Sequence, residues 1–402
     1  MNSNSSRGVG WVAVLMPYSI AIGPLGTLIT LEVASLRGSP VELGYAMSTG
    51  SAVGVLAPLV WGLLLDRYDG RRILTLGFLG TAISIIALAY AGNIPQVALY
   101  YASSSLFSSA VGVASSVILV GSTERARWNE SYSRLNLAGS LGYLVGDLTA
   151  AALAGFMSVK AILMAMGVLP IASALWSLKA TPAGITRPKR VSRPTILNMG
   201  VGGVGLGDLA LLYLALIIFY VSSGIFNTLY PYGLREGGLS KSWVMAIISA
   251  GMGVQIIGFR AAPSIISRLR GNARAASLSL ILRGSSYMAI GLLSTTQEAM
   301  IAAGLVFYPL AAGLAYATFY TASSVMVFER IRDGEWGRGI GLYSVISGTA
   351  YFAGSLASGY LAEAVGFGGS YVAAGAMLMA SAYIFNTIDK AKGVLRSVER
   401  VG

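Results

Sequence analysis

Cysteine and histidine are both absent from this chain of 402 residues. Without cysteine there is no disulfide and no thiolate metal site, and the redox compartment cannot be read. Without histidine the chain lacks the commonest metal ligand and the usual proton carrier near neutral pH. Any proton coupling therefore falls to carboxylates. Charge is scarce too: Lys, Arg, Asp and Glu make up 11% of the residues, against about 25% in soluble domains. There is no Walker-type phosphate loop, so ATP is not the direct energy source. No paired carboxylate motif occurs at helical spacing inside the apolar stretches. An enzyme is therefore not expected, nor is a cofactor or metal.

What is present is apolar. Hydrophobic residues reach 55% and the mean hydropathy is +0.70. A water-soluble chain of this length needs a charged surface that this one cannot supply, so lipid is the expected solvent. The charges are also bunched. None occurs between Arg7 and Glu32, between Arg72 and Glu124, or between Glu298 and Glu329. Each gap holds at least one crossing of about 20 residues. The second has room for two, with a break at Gly92-Asn93-Ile94-Pro95.

Hydropathy predicts twelve spans, near 10–32, 43–65, 73–92, 95–120, 133–156, 160–178, 208–230, 243–263, 275–294, 298–326, 339–362 and 368–388. The fold class expected is an all-α membrane protein with two pseudo-symmetric six-helix bundles. The domains expected are 1–178, a linker 179–207, and 208–402 with a short basic tail. The start, Met1 to Gly10, is short and polar, and the apolar run after it is too long for a signal-peptide core and shows no convincing cleavage site. With the N-terminus, the even-numbered loops and the C-terminus on one side, that side carries 22 of the 28 basic residues. The other side has Arg37, Lys160, Arg235 and Lys241. This is the positive-inside pattern, so both termini are expected in the cytoplasm and the protein in the cell membrane. The net charge of +12 then needs no nucleic acid to explain it. The lipid bilayer and a small-molecule substrate are the expected partners, protons a candidate third, and a monomer the expected state.

The halves repeat locally. Residues 62–72 read Gly-Leu-Leu-Leu-Asp-Arg-Tyr-Asp-Gly-Arg-Arg, and 201 positions on, Arg268 and Gly271 fall where Arg67 and Gly70 stood. Glu124-Arg125 and Glu329-Arg330 form a looser pair after spans four and ten. A repeated six-helix unit is a common secondary-transporter architecture, with a midplane site between the halves.

Gly62, Asp66, Arg67, Gly70, Arg71 and Arg72 resemble the loop signature of the major facilitator superfamily, Gly-x-x-x-Asp-Arg-x-Gly-Arg-Arg, in its place between spans two and three, with one residue more between Arg67 and Gly70 than the signature has. That resemblance implies alternating access by two rocking bundles. Physically, Gly70 permits a tight turn, Asp66 can face a helix N-terminus of the other half, and the arginines can pair with acids such as Glu124 or with lipid phosphate. Together they form a candidate cytoplasmic latch; the plain alternative is a basic loop that only sets topology. In the second copy Ser267 replaces Asp66 and Asn272-Ala273 replace the arginine pair.

Charge inside a span costs about 2.5–3.5 kcal/mol on insertion scales, so each such residue is a candidate. Asp147, in span five beside Gly142 and Gly146, is the first choice for proton coupling or for binding a cationic group. Its alternative is a structural carboxylate capped by hydroxyls or an arginine. The segment Gly142-Tyr-Leu-Val-Gly146-Asp147 also resembles the fifth-helix motif of the family's proton-coupled antiporters, with Asp147 where that motif has proline. Arg283 falls in span nine, which family analogy turns away from the central cavity; that favours a snorkelling or interhelical role, with substrate contact as the alternative. Glu32 is an external gate candidate, with an interfacial residue as its alternative. Arg260, Glu363 and Asp208 read as span-end residues.

Span one carries Pro17, Tyr18, Gly23 and Pro24, signs of a broken helix. Asn227, Tyr230, Pro231, Gln255, Tyr343 and Tyr351 are candidate cavity residues, with ordinary packing as their alternative. Span four is rich in serine (Ser103, Ser104, Ser105, Ser108, Ser109, Ser115 and Ser116) and lacks the arginine that many of the family's drug antiporters carry there. The functional expectation is a secondary transporter, with proton-coupled efflux, uncoupled facilitation and metabolite import all open. A channel or receptor-like protein is the alternative from another class. An intramembrane acid with few central basic residues leans toward neutral or cationic solutes, with a lipophilic drug-like compound and a small metabolite both open.

Overall fold

The computed structural model describes residues 10–123, 128–185, 206–269, 271–329 and 336–399. Among them there is no strand. Among the described residues, ten helical stretches are long and apolar enough to cross a membrane. The chain forms two compact units, Met1–Thr195 and Ile196–Gly402.

In the first unit, a 3₁₀ turn at Gly10–Val14 leads into α1 (Leu15–Ile22) and α2 (Leu25–Ser35). The two are offset at Gly23-Pro24, where the expected break lies. Proline at position 24 has no N–H to give, which ends the α1 ladder. At the other proline, the Tyr18 N–H donates to Ser173 Oγ at 3.0 Å, so a polar group at membrane depth finds a partner. Then come α3 (Pro40–Leu65), α4 (Gly70–Ala89), α5 (Ile94–Ser122), α6 (Trp128–Leu153) and α7 (Val159–Ala180).

Helix starts follow ordinary capping chemistry. Ser39 and Glu42 form a reciprocal capping box at α3, and Asn93 and Ser158 cap α5 and α7. A core of Trp11, Trp61, Leu74, Phe78 and Ile118 is closed to solvent.

The second unit holds α8 (Leu206–Glu236), α9 (Lys241–Arg268) and α10 (Asn272–Leu293). Next is a helix interrupted midway: α11 (Gln297–Tyr308), a π-helical segment Pro309–Ala315, and α12 (Tyr316–Phe328). The last helix, α13 (Trp336–Glu399), runs 64 residues and is broken at Gly366, whose φ of 73° is a left-handed value that favours glycine. Its apolar portion of 46 residues is about twice what one crossing needs.

Serine hydroxyls tie these helices together. Ser222 donates to the Ala374 carbonyl at 2.8 Å, Ser381 to Ala215 at 2.8 Å and Ser277 to Ala382 at 2.9 Å. Hydroxyl and small-residue contacts are what membrane helices use where lipid removes the hydrophobic drive between them.

Most of the expected linker lies outside the described residues. Its beginning is docked: Ile185 packs against Gly121, and its N–H donates to Asp69 Oδ1 at 3.1 Å.

Candidate functional site

Asp147 sits on α6 one residue beyond the tightest helix contact in the first unit. A Cβ on Gly142 would collide with Ser19, and one on Gly146 with the Ile20 carbonyl; a Cβ on Gly23 would lie 2.6 Å from the Tyr143 carbonyl oxygen. The glycines thus let α1 and α6 touch backbone to backbone. Asp147 is 1% exposed, and neither carboxylate oxygen has a hydrogen-bond partner. A buried carboxylate in that condition is incomplete. A proton, a cation or a substrate amine would complete it.

The second unit builds the same seam with a different ending. Gly224 on α8 meets the Tyr351 carbonyl oxygen of α13, and Gly354 meets the Val221 carbonyl. Tyr351-Phe-Ala-Gly354-Ser355 mirrors Tyr143-Leu-Val-Gly146-Asp147, and Thr228 stands one half-chain from Thr27. Here the hydroxyls close on each other: Thr228 Oγ1 donates to Ser355 Oγ at 3.1 Å, both buried. Where the second copy has a satisfied pair, the first has an unsatisfied acid. The repeated Tyr-x-x-Gly is the sequence signal for this exchange of serine for aspartate; hydropathy and the loop signature both pass over it.

The loop after α3 is only partly as expected. Asp66 occupies the C-cap position of α3, and Asp66, Arg67 and Arg72 are exposed while Gly62 is half-buried. Gly70 does not make a strained turn. It is the buried first residue of α4, and its N–H donates to the Ile185 carbonyl at 2.8 Å. A Cβ there would meet Ile118 at 2.9 Å and that carbonyl at 3.1 Å, so close packing rather than backbone conformation requires glycine. Arg71 Nη1 donates to the Leu178 carbonyl at 3.0 Å, in the last turn of α7, where a cation offsets the helix dipole. Glu124 lies outside the described residues. The second unit offers a counterpart: Asn272 Nδ2 donates to Glu329 Oε1 at 3.4 Å. Asp69, whose carboxylate holds Ile185, is not among the residues that carry the loop resemblance, so the motif does not point to it.

Glu32 is 1% exposed and lies 3.6 Å from Lys160 Nζ, which also donates to the Ala91 carbonyl at 2.8 Å. An ion pair therefore links α2 to α7. Arg283 is 2% exposed and does not snorkel to an interface. Its Nε donates to Tyr287 OH at 2.9 Å and its Nη2 reaches Ser223 Oγ at 3.5 Å. Tyr230 is closed in an aromatic stack with Phe226 at 4.8 Å and Tyr308 at 5.0 Å between centroids, so its ring is core. Asn227, Gln255, Tyr343 and Tyr351 are half-buried, and Arg260 and Glu363 are exposed. The side chain of Asp208 lies outside the described residues. Tyr343 OH meets Tyr220 OH at 2.6 Å. A cleft of about 470 Å³ at the end of α8, lined by Leu234, Glu236, Met300 and Tyr371 among others, contains none of the expected site residues.

Long apolar helices, interhelical hydroxyl bonds and buried carboxylates are features of an integral membrane protein, and the comparisons with known proteins name its family. The family described as the Major Facilitator Superfamily matches residues 8–311. The chain belongs to that superfamily of transporters and is not an enzyme. An MFS-type transporter of Escherichia coli, YdeE, is 28% identical over 139 residues, 32% of this chain and 34% of that protein. The multidrug transporter mfsB of Aspergillus fumigatus is 29% identical over 98 residues, 24% of this chain and 16% of that protein. The matches thus span about a third and a sixth of those relatives. Among solved structures, a bacterial homolog of the human lysosomal transporter Spinster superposes with a TM-score of 0.76 at 12% identity, covering 96% of this chain and 97% of that one. A variant of the nucleoside transporter NupG gives 0.75 at 13% identity, covering 94% and 98%. These likenesses show the fold.

Proposed function

We propose that the protein is a secondary transporter that moves a small solute by alternating access, with Asp147 as the proton-coupling group. The arrangement proposed has twelve crossings in two six-helix bundles, joined by the 179–207 linker, with both termini in the cytoplasm. The single observation that carries the coupling is the buried carboxylate of Asp147 without a partner, set in a seam whose second copy is fully satisfied. An acid kept at membrane depth against its insertion cost has a use for its charge change.

A drug-like solute is favoured, since the Aspergillus relative is a multidrug transporter, and efflux is the direction proposed. The loop Asp66–Arg72 acts as the cytoplasmic latch, with Gly70 and Asp69 fixing it to the segment at Ile185. Glu32 and Lys160 hold the outer ends of two helices together.

The test begins with a thermal-shift screen of the purified protein against a metabolite and drug library, since a ligand that binds the folded state raises the melting temperature. The hit is then radiolabelled and used in solute counterflow across proteoliposomes. A carrier shows transient accumulation against excess unlabelled solute. A channel shows none, and simple equilibration would reject the transporter mechanism.

A further inference from the structure

Arg283 carries a charge that the proposed coupling does not use. Among the described residues it forms no ion pair, and Nη1 is buried with no hydrogen-bond partner. Three rings surround the guanidinium: its carbon lies 5.2 Å from the Phe219 centroid, 5.3 Å from Tyr287 and 5.1 Å from Tyr316. Ring faces stabilise a cation but accept no strong hydrogen bond, so they leave a donor idle.

The cage has one thin wall. Phe219 and Tyr287 are closed to solvent, whereas Tyr316 is half-buried. Tyr316 stacks on Tyr320 at 5.7 Å, and Phe259 stands edge-on to both at 6.3 and 6.1 Å. Tyr320 and Phe259 are each 38% exposed. This aromatic surface differs from the aliphatic surface of α10, where the exposed large hydrophobic side chains are Leu278, Ile281, Leu282, Leu292 and Leu293. Tyr316 also begins the α-helix that follows the π-helical segment Pro309–Ala315. Wide π turns cluster at functional sites, and their conversion to α geometry turns the residues that follow.

Resting on the transporter reading, we infer that the second unit carries a binding site for an aromatic carboxylate, whose ring lies on Tyr316, Tyr320 and Phe259 and whose carboxylate accepts from Arg283 Nη1. The orphan donor and the exposed rings meet at Tyr316, so one solute serves both. Such a solute is an anion, opposite to the charge that Asp147 alone suggests.

Calorimetry on the full-length protein in detergent tests this, with 2-naphthoate, neutral 2-naphthylmethanol and cationic 2-naphthylmethylammonium as probes. Wild type should bind the carboxylate about tenfold or more tighter than the alcohol, as a hydrogen bond to a charged group provides. Arg283→Gln should erase that preference, and Tyr320→Leu should weaken acid and alcohol alike. If Arg283→Gln does not fold, Arg283→Lys decides: the acid preference should fall by several-fold, because a single ammonium cannot reproduce the planar fork. Equal binding of the three probes by wild type, or an acid preference unchanged in a folded Arg283 variant, would overturn the site. Asp147→Asn should leave naphthoate binding intact. Proton-driven flux of wild-type magnitude in Asp147→Asn, with that binding preserved, would strike the coupling reading alone. Lack of an acid preference alongside intact proton-driven flux would strike this site alone.

Discussion

Gly23 and Tyr143 meet so closely that the Gly23 α-carbon has room for hydrogen only: a Cβ would stand 2.6 Å from the Tyr143 carbonyl oxygen and 2.7 Å from its Cα. The contact fixes the depth at which α1 and α6 cross, and with it the burial of Asp147. Gly146→Ala should therefore destabilise the protein by about 1–3 kcal/mol, the usual cost of overpacking. Gly26→Ala, on the same span as Gly23 but with nothing within 4 Å of its Cβ position, should be neutral or slightly stabilising. Melting curves of the two variants in one detergent make the comparison.

The loop after α3 separates two roles. Asp69→Ala removes the acceptor for the Ile185 N–H and should lower stability by about 1 kcal/mol. Asp66→Ala touches an exposed position and should leave melting and membrane abundance unchanged while impairing transport. Uptake normalised to the protein present in the membrane checks this. Full transport by Asp66→Ala would reduce the loop to a topology signal.

Glu32 and Lys160 are unequal partners, 1% and 45% exposed. Water screens the lysine, so the pair itself contributes little. Removing only the lysine leaves a buried carboxylate without its cation, and Lys160→Met should cost about 1–2 kcal/mol, below the figure for a fully buried pair. The double variant Glu32→Gln with Lys160→Met should recover most of it. A double-mutant cycle on melting temperature reads the coupling, and additive effects would show that the two side chains act independently.

In the second unit, Thr228→Val breaks a buried hydroxyl pair and should cost about 1 kcal/mol or somewhat more. It should not alter the response of transport to a pH gradient. A change in gradient response would mean that both seams take part in coupling.

The helices and their ends are legible in the sequence because lipid leaves so little choice. Charge-free runs, Pro24 after Gly23, and Asn93 before Pro95 mark breaks that local chemistry dictates. Much less is legible where partners come from far along the chain. Nothing near Arg283 in sequence announces Phe219 or Tyr316, so family analogy alone sets it away from the cavity. Gly70 has the look of a turn residue, yet its constraint comes from Ile118 and Ile185. Tyr230 has the look of a cavity residue, but it closes a stack in which Phe226 lies one helical turn away and Tyr308 and Tyr371 come from far along the chain. The π-helical segment has a single local sign, Pro309, which alone does not distinguish a kink from a wide turn.

The charge of Asp147 is the point on which the proposed coupling turns, and proteoliposomes test it with the radiolabelled solute found by screening. In wild type, an imposed pH gradient should drive net movement of the solute, and counterflow should proceed without a gradient. Asp147→Asn should abolish the gradient-driven movement yet retain counterflow, because a permanently neutral side chain permits exchange while carrying no proton. Gradient-driven transport of wild-type magnitude in Asp147→Asn would contradict the coupling role.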